Sequence, residues 1–173
     1  VVLDADPLTE DAVLWKSPIN DTSSSSTGST LFDFDGGGRV EVVYADQDFI
    51  RVYDGPTGAT RWEQPNGSNT RSEAPVVADV DGDGQAEIVV TSERATTHLG
   101  TTYLPGIRVY GSPADNWVRA RSIWNQHQYD VVNVNADGTV PAVPRVNWLS
   151  SGLNNFRQQA FLSDDPARLD QFT

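Results

Sequence analysis

Within nine residues the chain places four carboxylates, Asp79, Asp81, Asp83 and Glu87, at positions 1, 3, 5 and 9 of the run DVDGDGQAE. Alternate side chains of a tight turn point to one side, so this spacing lets them wrap a hard cation. Calcium takes about six to eight oxygen ligands. Asp79, Asp81 and Asp83 would supply carboxylates, Gln85 a main-chain carbonyl, and Glu87 a further carboxylate directly or through water. Gly84 permits the sharp bend, since a residue without Cβ takes unusual dihedrals cheaply. An EF-hand would need an acidic residue at position 12, yet that position is Val90 inside the run EIVV, so the loop is expected to join strands. The competing reading is an acidic β-turn without metal, because Asp and Gly favour turns on their own. Four crowded carboxylates would then repel one another.

Two further runs are weaker. DFDGGGRVE keeps Asp33, Asp35 and Glu41 at positions 1, 3 and 9, with Arg39 where a main-chain carbonyl is wanted, but Gly37 replaces one carboxylate. That loss predicts a weakened site or a metal-free glycine turn. NVNADGT offers Asn133, Asn135, Asp137 and Thr139, only one of them charged, and reads equally as a plain hairpin turn.

These runs sit in repeats. LFDFDGGGRVEVVY matches VADVDGDGQAEIVV 46 residues later, IRVYDG matches IRVYG 57 residues later, and Trp15 and Trp62 share a Trp-x-x-Pro frame. The longer offset reflects a Thr-rich loop around residues 91–104. Val2 to Trp15 also resembles Val52 to Trp62, so the chain opens inside a repeat. Each unit holds short runs of Val, Ile, Tyr and Phe between Gly, Pro, Asn and Asp turn signals, an all-β pattern. At this period, four-stranded propeller blades are expected, with a duplicated β-sandwich as the alternative. The units read as 1–18, the end of a preceding blade; 19–65, a blade with the degenerate loop; 66–123, a blade with the full loop; 124–148, a divergent repeat; and 149–173, a closing segment and polar tail. About three blades cannot close a ring that typically has about 4 to 8, so an open or intermolecularly paired sheet edge is expected. LSSGLNNFRQQAF, Leu149 to Phe161, is the one expected helix.

Composition narrows the functions. The 173 residues carry 24 Asp and Glu against 12 Lys and Arg, a net charge of −12, which disfavours a nucleic-acid surface. There is no Cys, hence no disulfide, thiolate zinc site or cysteine nucleophile. No apolar run is long enough to span a membrane, and the start, without Met or a leader pattern, reads as that of a processed chain or a segment. The two histidines, His98 and His127, belong to no zinc frame, and His127 reads as a packed or hydrogen-bonded residue. No nucleophile elbow or phosphate loop is present. The tryptophans read first as packing between units and second as a sugar-stacking platform. Asn20-Asp21-Thr22 and Asn66-Gly67-Ser68 fit the glycosylation sequon. Asp46, outside every recognised loop, is expected to be replaceable.

At the D-x-D-G-D-G run and its partner the sequence resembles the FG-GAP/VCBS repeat family, found in integrin α-subunit heads and bacterial exported proteins. The resemblance covers roughly residues 1–148. WNQHQYDVVNVNADGTVP and NWLSSGLNNFRQ look like the closing part of such repeats in large bacterial surface proteins. The resemblance implies propeller blades, calcium and a place outside the cell or at its surface. The expected function is a calcium-binding β-propeller segment that mediates adhesion, ligand binding or extracellular assembly, more a binding module than an enzyme. Its partners would be other segments or chains completing the propeller, and a glycan or protein ligand. The alternatives are the propeller portion of a polysaccharide-acting enzyme and a subunit of an extracellular fibre.

Overall fold

A computed structural model describes residues 2–3, 13–22, 27–69, 72–149 and 156–160. The chain forms antiparallel sheets. β1 (Val2–Leu3) pairs with β2 (Val13–Trp15), with Val2 opposite Trp15. β3 (Thr30–Phe32), β4 (Glu41–Ala45), β5 (Phe49–Tyr53) and β6 (Thr60–Pro65) form a four-stranded meander. In it Val52 stands opposite Trp62, the pairing that Val2 and Trp15 make. The repeat seen in the letters is thus repeated in register.

The next unit holds β7 (Val76–Ala78), β8 (Glu87–Ser92) and, after a hairpin of β9 (Thr96–His98) with β10 (Thr101–Tyr103), β11 (Gly106–Tyr110). The Thr-rich insertion is that hairpin. The sheet order is β11-β8-β7, three strands where four were expected. After Tyr110 the run Gly-Ser-Pro turns the chain away, Pro having no N–H for a ladder. Residues 117–121 instead run beside the two acidic turns: Val118 N donates to Phe34 O (3.0 Å), Ala86 N to Val118 O (3.1 Å) and Ala120 N to Gly84 O (3.2 Å).

Alternation along β4 and β5 sends Val43, Ala45, Ile50 and Val52 inward, where they join Phe32 and Phe34 with Val77, Ala86, Ile88, Val90 and Ala120 of the second unit in one core. The Trp-x-x-Pro tryptophans join neighbouring units. Trp15 packs on Tyr53 (5.6 Å between centroids) and donates from Nε1 to Gly55 O (2.6 Å), while Trp62 packs edge-on against Tyr110 (4.9 Å). Aromatic contacts of this geometry add to the area they bury.

The divergent repeat corrects the expectation of a third four-stranded unit. Among the described residues it contributes turns and a short 3-10 helix at Asn147–Leu149, and no strand. The expected helix at 149–161 lies largely outside the described residues, as does the polar tail. Where it is described, residues 157–160 are not helical: Leu31 N donates to Arg157 O (2.9 Å), Gln159 N to Leu31 O (3.2 Å), and Gln158 bridges Leu31 in parallel. Polar side chains hold this segment. Buried Arg157 donates to Ser29 O, Thr30 Oγ1, Pro75 O and His127 O, with Trp124 beneath its guanidinium. Gln159 donates to Val77 O (3.1 Å) and Ile123 O (3.1 Å) and accepts from Tyr129 Oη (2.8 Å), which accepts from Arg121 Nη1 (3.0 Å). The charged and polar letters of the closing runs therefore satisfy main-chain carbonyls of three separate segments, those of Pro75 and Val77 in buried surroundings. His127 is exposed, which corrects the packed reading, and its carbonyl accepts from Arg157 Nη1.

Candidate metal centre

The full acidic run forms the turn between β7 and β8, and its carboxylates organise it. Asp79 Oδ1 accepts from Gly82 N (2.7 Å) and Oδ2 from Gly84 N (3.1 Å). Asp81 Oδ1 accepts from Asp83 N (3.1 Å), Asp83 Oδ1 from Gln85 N (2.7 Å), and Glu87 Oε2 reaches back to Val80 N (2.9 Å). Gly84 has φ +94°, and a Cβ there would stand 3.3 Å from Arg119 Nε, so the position suits glycine on both counts. The segment beyond β11 fixes the outer side, with Asp79 N donating to Arg121 O and Gln85 bridging Arg119.

Asp79, Asp81 and Glu87 each offer an oxygen within 4.8 Å of the others. Two oxygens on opposite sides of a calcium ion, each at about 2.3 to 2.6 Å, are about 4.6 to 5.2 Å apart. The triad fits one such ion. Each carboxylate oxygen that takes an amide hydrogen keeps a further lone pair. Asp83 stands outside the triad, and Gln85 lies alongside Arg119. Glu87 is buried while Asp81 is exposed, so the triad spans from the core to solvent. Burial pushes the Glu87 carboxyl above its usual range; the Val80 amide opposes this, and Asp81, Asp83 and Asp79 push it further. A bound cation would relieve that repulsion.

The first turn, between β3 and β4, is wired similarly, although its leading aspartate takes the amide one position further on. Asp33 Oδ1 accepts from Gly37 N (3.0 Å) and Oδ2 from Gly38 N (2.7 Å), Asp35 Oδ1 accepts from Gly37 N (2.9 Å), and Glu41 Oε2 accepts from Phe34 N (2.9 Å). Arg39 is exposed. Here, however, the Arg61 guanidinium of β6 lies on the carboxylates, with Nη1 2.6 Å from Glu41 Oε1 and 3.2 Å from Asp35 Oδ2. The run at Asn133 is not gathered round a point. Asn133 Oδ1 accepts from Gln126 Nε2 (2.6 Å) and Asp130 N (3.1 Å), while Asn135 and Asp137 close on Thr139 (2.9 and 2.6 Å) across a turn in which Gly138 N donates to Asn135 O. The Thr139 hydroxyl and amide hold Asp137 below the usual carboxylate range.

Arg61, Arg119 and the whole 117–121 segment escaped the sequence reading. Only the position of Arg61 beside the repeated Trp62 could have drawn attention to it. The expectation for Asp46 is corrected too. Asp46 is 1% exposed, pairs with Arg51, and accepts from Asp48 N (2.9 Å), Phe49 N (2.8 Å) and Asn20 N (3.3 Å) at the β4–β5 turn. Asn66 is likewise no open sequon: it is buried, donating to Thr91 O (3.2 Å) and accepting from Arg108 Nη1 (2.8 Å).

An all-β chain with repeated acidic turns between strands defines a class, and the family comparison agrees with it over part of the chain. Residues 33–90, a stretch that holds both acidic turns, match the FG-GAP-like repeat. Among solved structures it is similar to the V. cholerae biofilm matrix protein Bap1, at 30% identity with a TM-score of 0.73 over 86% of this chain. The chain covers 24% of the length of that protein. No curated protein matches. Among the described residues no helix is long and apolar enough to cross a membrane.

Proposed function

We propose that this chain is a calcium-stabilised segment of a β-propeller in an extracellular or cell-surface protein, serving adhesion or matrix assembly. The observation that carries the reading is the convergence of Asp79, Asp81 and Glu87 in a β-turn of the FG-GAP-like repeat. Calcium would be held by these three carboxylates, with Asp83 and the Gln85 carbonyl completing the shell directly or through water. The ion's role is structural: it neutralises a turn whose strands carry the shared core. The likeness to a biofilm matrix protein supports the extracellular setting.

One observation favours assembly through further repeats or further chains. The outer edge of β11 pairs with no strand among the described residues, and Ile107 and Val109 on it are 74% and 51% exposed. Such an edge is normally covered, and a glycan or protein ligand would then be met by the completed surface. Calorimetric titration with calcium chloride tests the central claim. Binding to wild type that Asp81→Asn weakens supports it, with dissociation constants of about 0.1 to 1 mM expected of an extracellular module. Absence of calcium-dependent heat at millimolar concentrations would refute it.

A further inference from the structure

We propose that the Arg61 guanidinium is the resident cation of the first acidic turn, standing where a divalent ion would sit and making residues 33–41 independent of dissolved metal. Three observations lead there. The two turns share most of their wiring. Asp33 corresponds to Asp79 and also spans two glycine amides, sharing the bond to Gly38 or Gly84 but taking Gly37 where Asp79 takes Gly82, and Glu41 corresponds to Glu87 and accepts the second amide of its turn at the same 2.9 Å. Asp35 corresponds to Asp81. The residues that Arg61 contacts, Asp35 and Glu41, are therefore the counterparts of two of the three triad members in the second turn.

The guanidinium is also anchored from behind. Arg61 Nη2 lies 2.6 Å from Asp54 Oδ2, and Asp54 is itself held by the Thr57 amide (2.9 Å) and hydroxyl (2.6 Å). A planar fork that cannot lose its proton serves several carboxylates at once, as a flexible ammonium does not. The support is built into the fold, because Arg61 belongs to β6, the fourth strand of the first sheet. The second sheet has no fourth strand among the described residues, and its chain passes along the turn by main-chain bonds instead.

Finally, the charges balance differently. The first turn has Gly37 where the second has Asp83, so it carries three carboxylates rather than four, and one guanidinium offsets part of that charge. Arg61 lines a cleft of about 280 Å³ with Asp35, Glu41, Trp62 and Trp117, and its side chain is 42% exposed. Removing it would leave Glu41, 2% exposed, facing that cleft without its ion pair.

This inference rests on the cation reading of the second turn only for its comparison, and the test separates the two. Hydrogen exchange of the whole chain is followed in peptides covering 33–41 and 79–87, in excess EGTA and in millimolar calcium chloride. In wild type, calcium should slow exchange at 79–87 and leave 33–41 unchanged. In Arg61→Gln with EGTA, exchange at 33–41 should rise roughly tenfold, since breaking a pair with a buried partner costs more than an exposed pair does. Gly37→Asp restores the missing carboxylate at a glycine outside the left-handed region. It should confer no calcium response on 33–41 while Arg61 is present, and a clear one when combined with Arg61→Gln. Arg61→Lys keeps the charge without the fork, so 33–41 should remain indifferent to calcium yet exchange faster than in wild type. Calcium protection of 33–41 in wild type, unchanged exchange there in Arg61→Gln, or a double variant still blind to calcium would each overturn the proposal. A wild-type 79–87 peptide indifferent to calcium would instead sink the metal reading of the second turn.

Discussion

Asp81→Asn separates a metal ligand from a structural aspartate, because the two roles predict opposite results without calcium. Asp81 is exposed, and the bond it makes within the turn is to the Asp83 amide at 3.1 Å, which an asparagine carbonyl oxygen can also accept. The substitution therefore removes charge and leaves the shape. In EGTA, wild type keeps three carboxylates within 4.8 Å of one another. At that separation each like-charged pair costs roughly 0.9 kcal/mol even with the dielectric of water. The variant should thus melt at or above the wild-type temperature in EGTA. In calcium at about 100 times the dissociation constant, wild type gains roughly 2.7 kcal/mol. For a chain of this length that raises Tm by about 5 to 11 °C. The variant should lose most of that gain, so the two melting curves exchange order between EGTA and calcium. Differential scanning calorimetry in both buffers reads this directly. An equal fall in Tm for Asp81→Asn in both buffers would show the residue to be merely structural, and a wild-type Tm indifferent to calcium would remove the metal altogether.

Asp46→Ala should lower stability by about 2 kcal/mol in EGTA and calcium alike, because it removes the buried one of Arg51's two carboxylate partners and the acceptor of two turn amides; urea unfolding in both buffers checks this. Tyr129 sets an alkaline limit. Burial, opposed by Arg121, pushes its hydroxyl up to about 12, so its stabilising contribution is whole below the ordinary tyrosine value near pH 10 and is lost as pH rises toward 12. Tyr129→Phe should cost about 1 to 3 kcal/mol at neutral pH by leaving Arg121 Nη1 and Gln159 Oε1 without that partner. It should also flatten the alkaline loss, leaving the part due to Tyr44, which burial and Asp21 likewise raise to about 12. A variant with an unchanged alkaline profile would show that Tyr129 does not titrate with unfolding.

Most of the first two units was legible because their signals are local. Alternating apolar residues between Asp-Gly turns specify strands and their buried faces, and a repeated letter pattern repeats a register, as Val2 with Trp15 and Val52 with Trp62 show. Turn chemistry placed both acidic runs between strands for the same reason. The divergent repeat was not legible in this way. Nor was the closing segment after it, whose residues answer partners far along the chain: Arg157 meets Ser29 and Thr30, and Gln159 meets Val77 and Ile123. Arg and Gln that satisfy distant carbonyls leave no period to read, so residues 157–160 passed for part of a helix.

The site shows the same division more sharply. Which oxygens can face a cation follows from spacing within nine residues, but the arginine that faces one set comes from a fourth strand that, among the described residues, only the first unit has. Arg61 lies 20 residues from Glu41, and nothing in the intervening sequence announces that β6 will set its guanidinium against that carboxylate. Asp46 hides similarly, since a buried turn aspartate and an exposed one are spelled alike. Local pattern thus reports where negative charge collects, whereas its compensation, by an arginine, by main-chain amides or by a dissolved ion, is decided by topology.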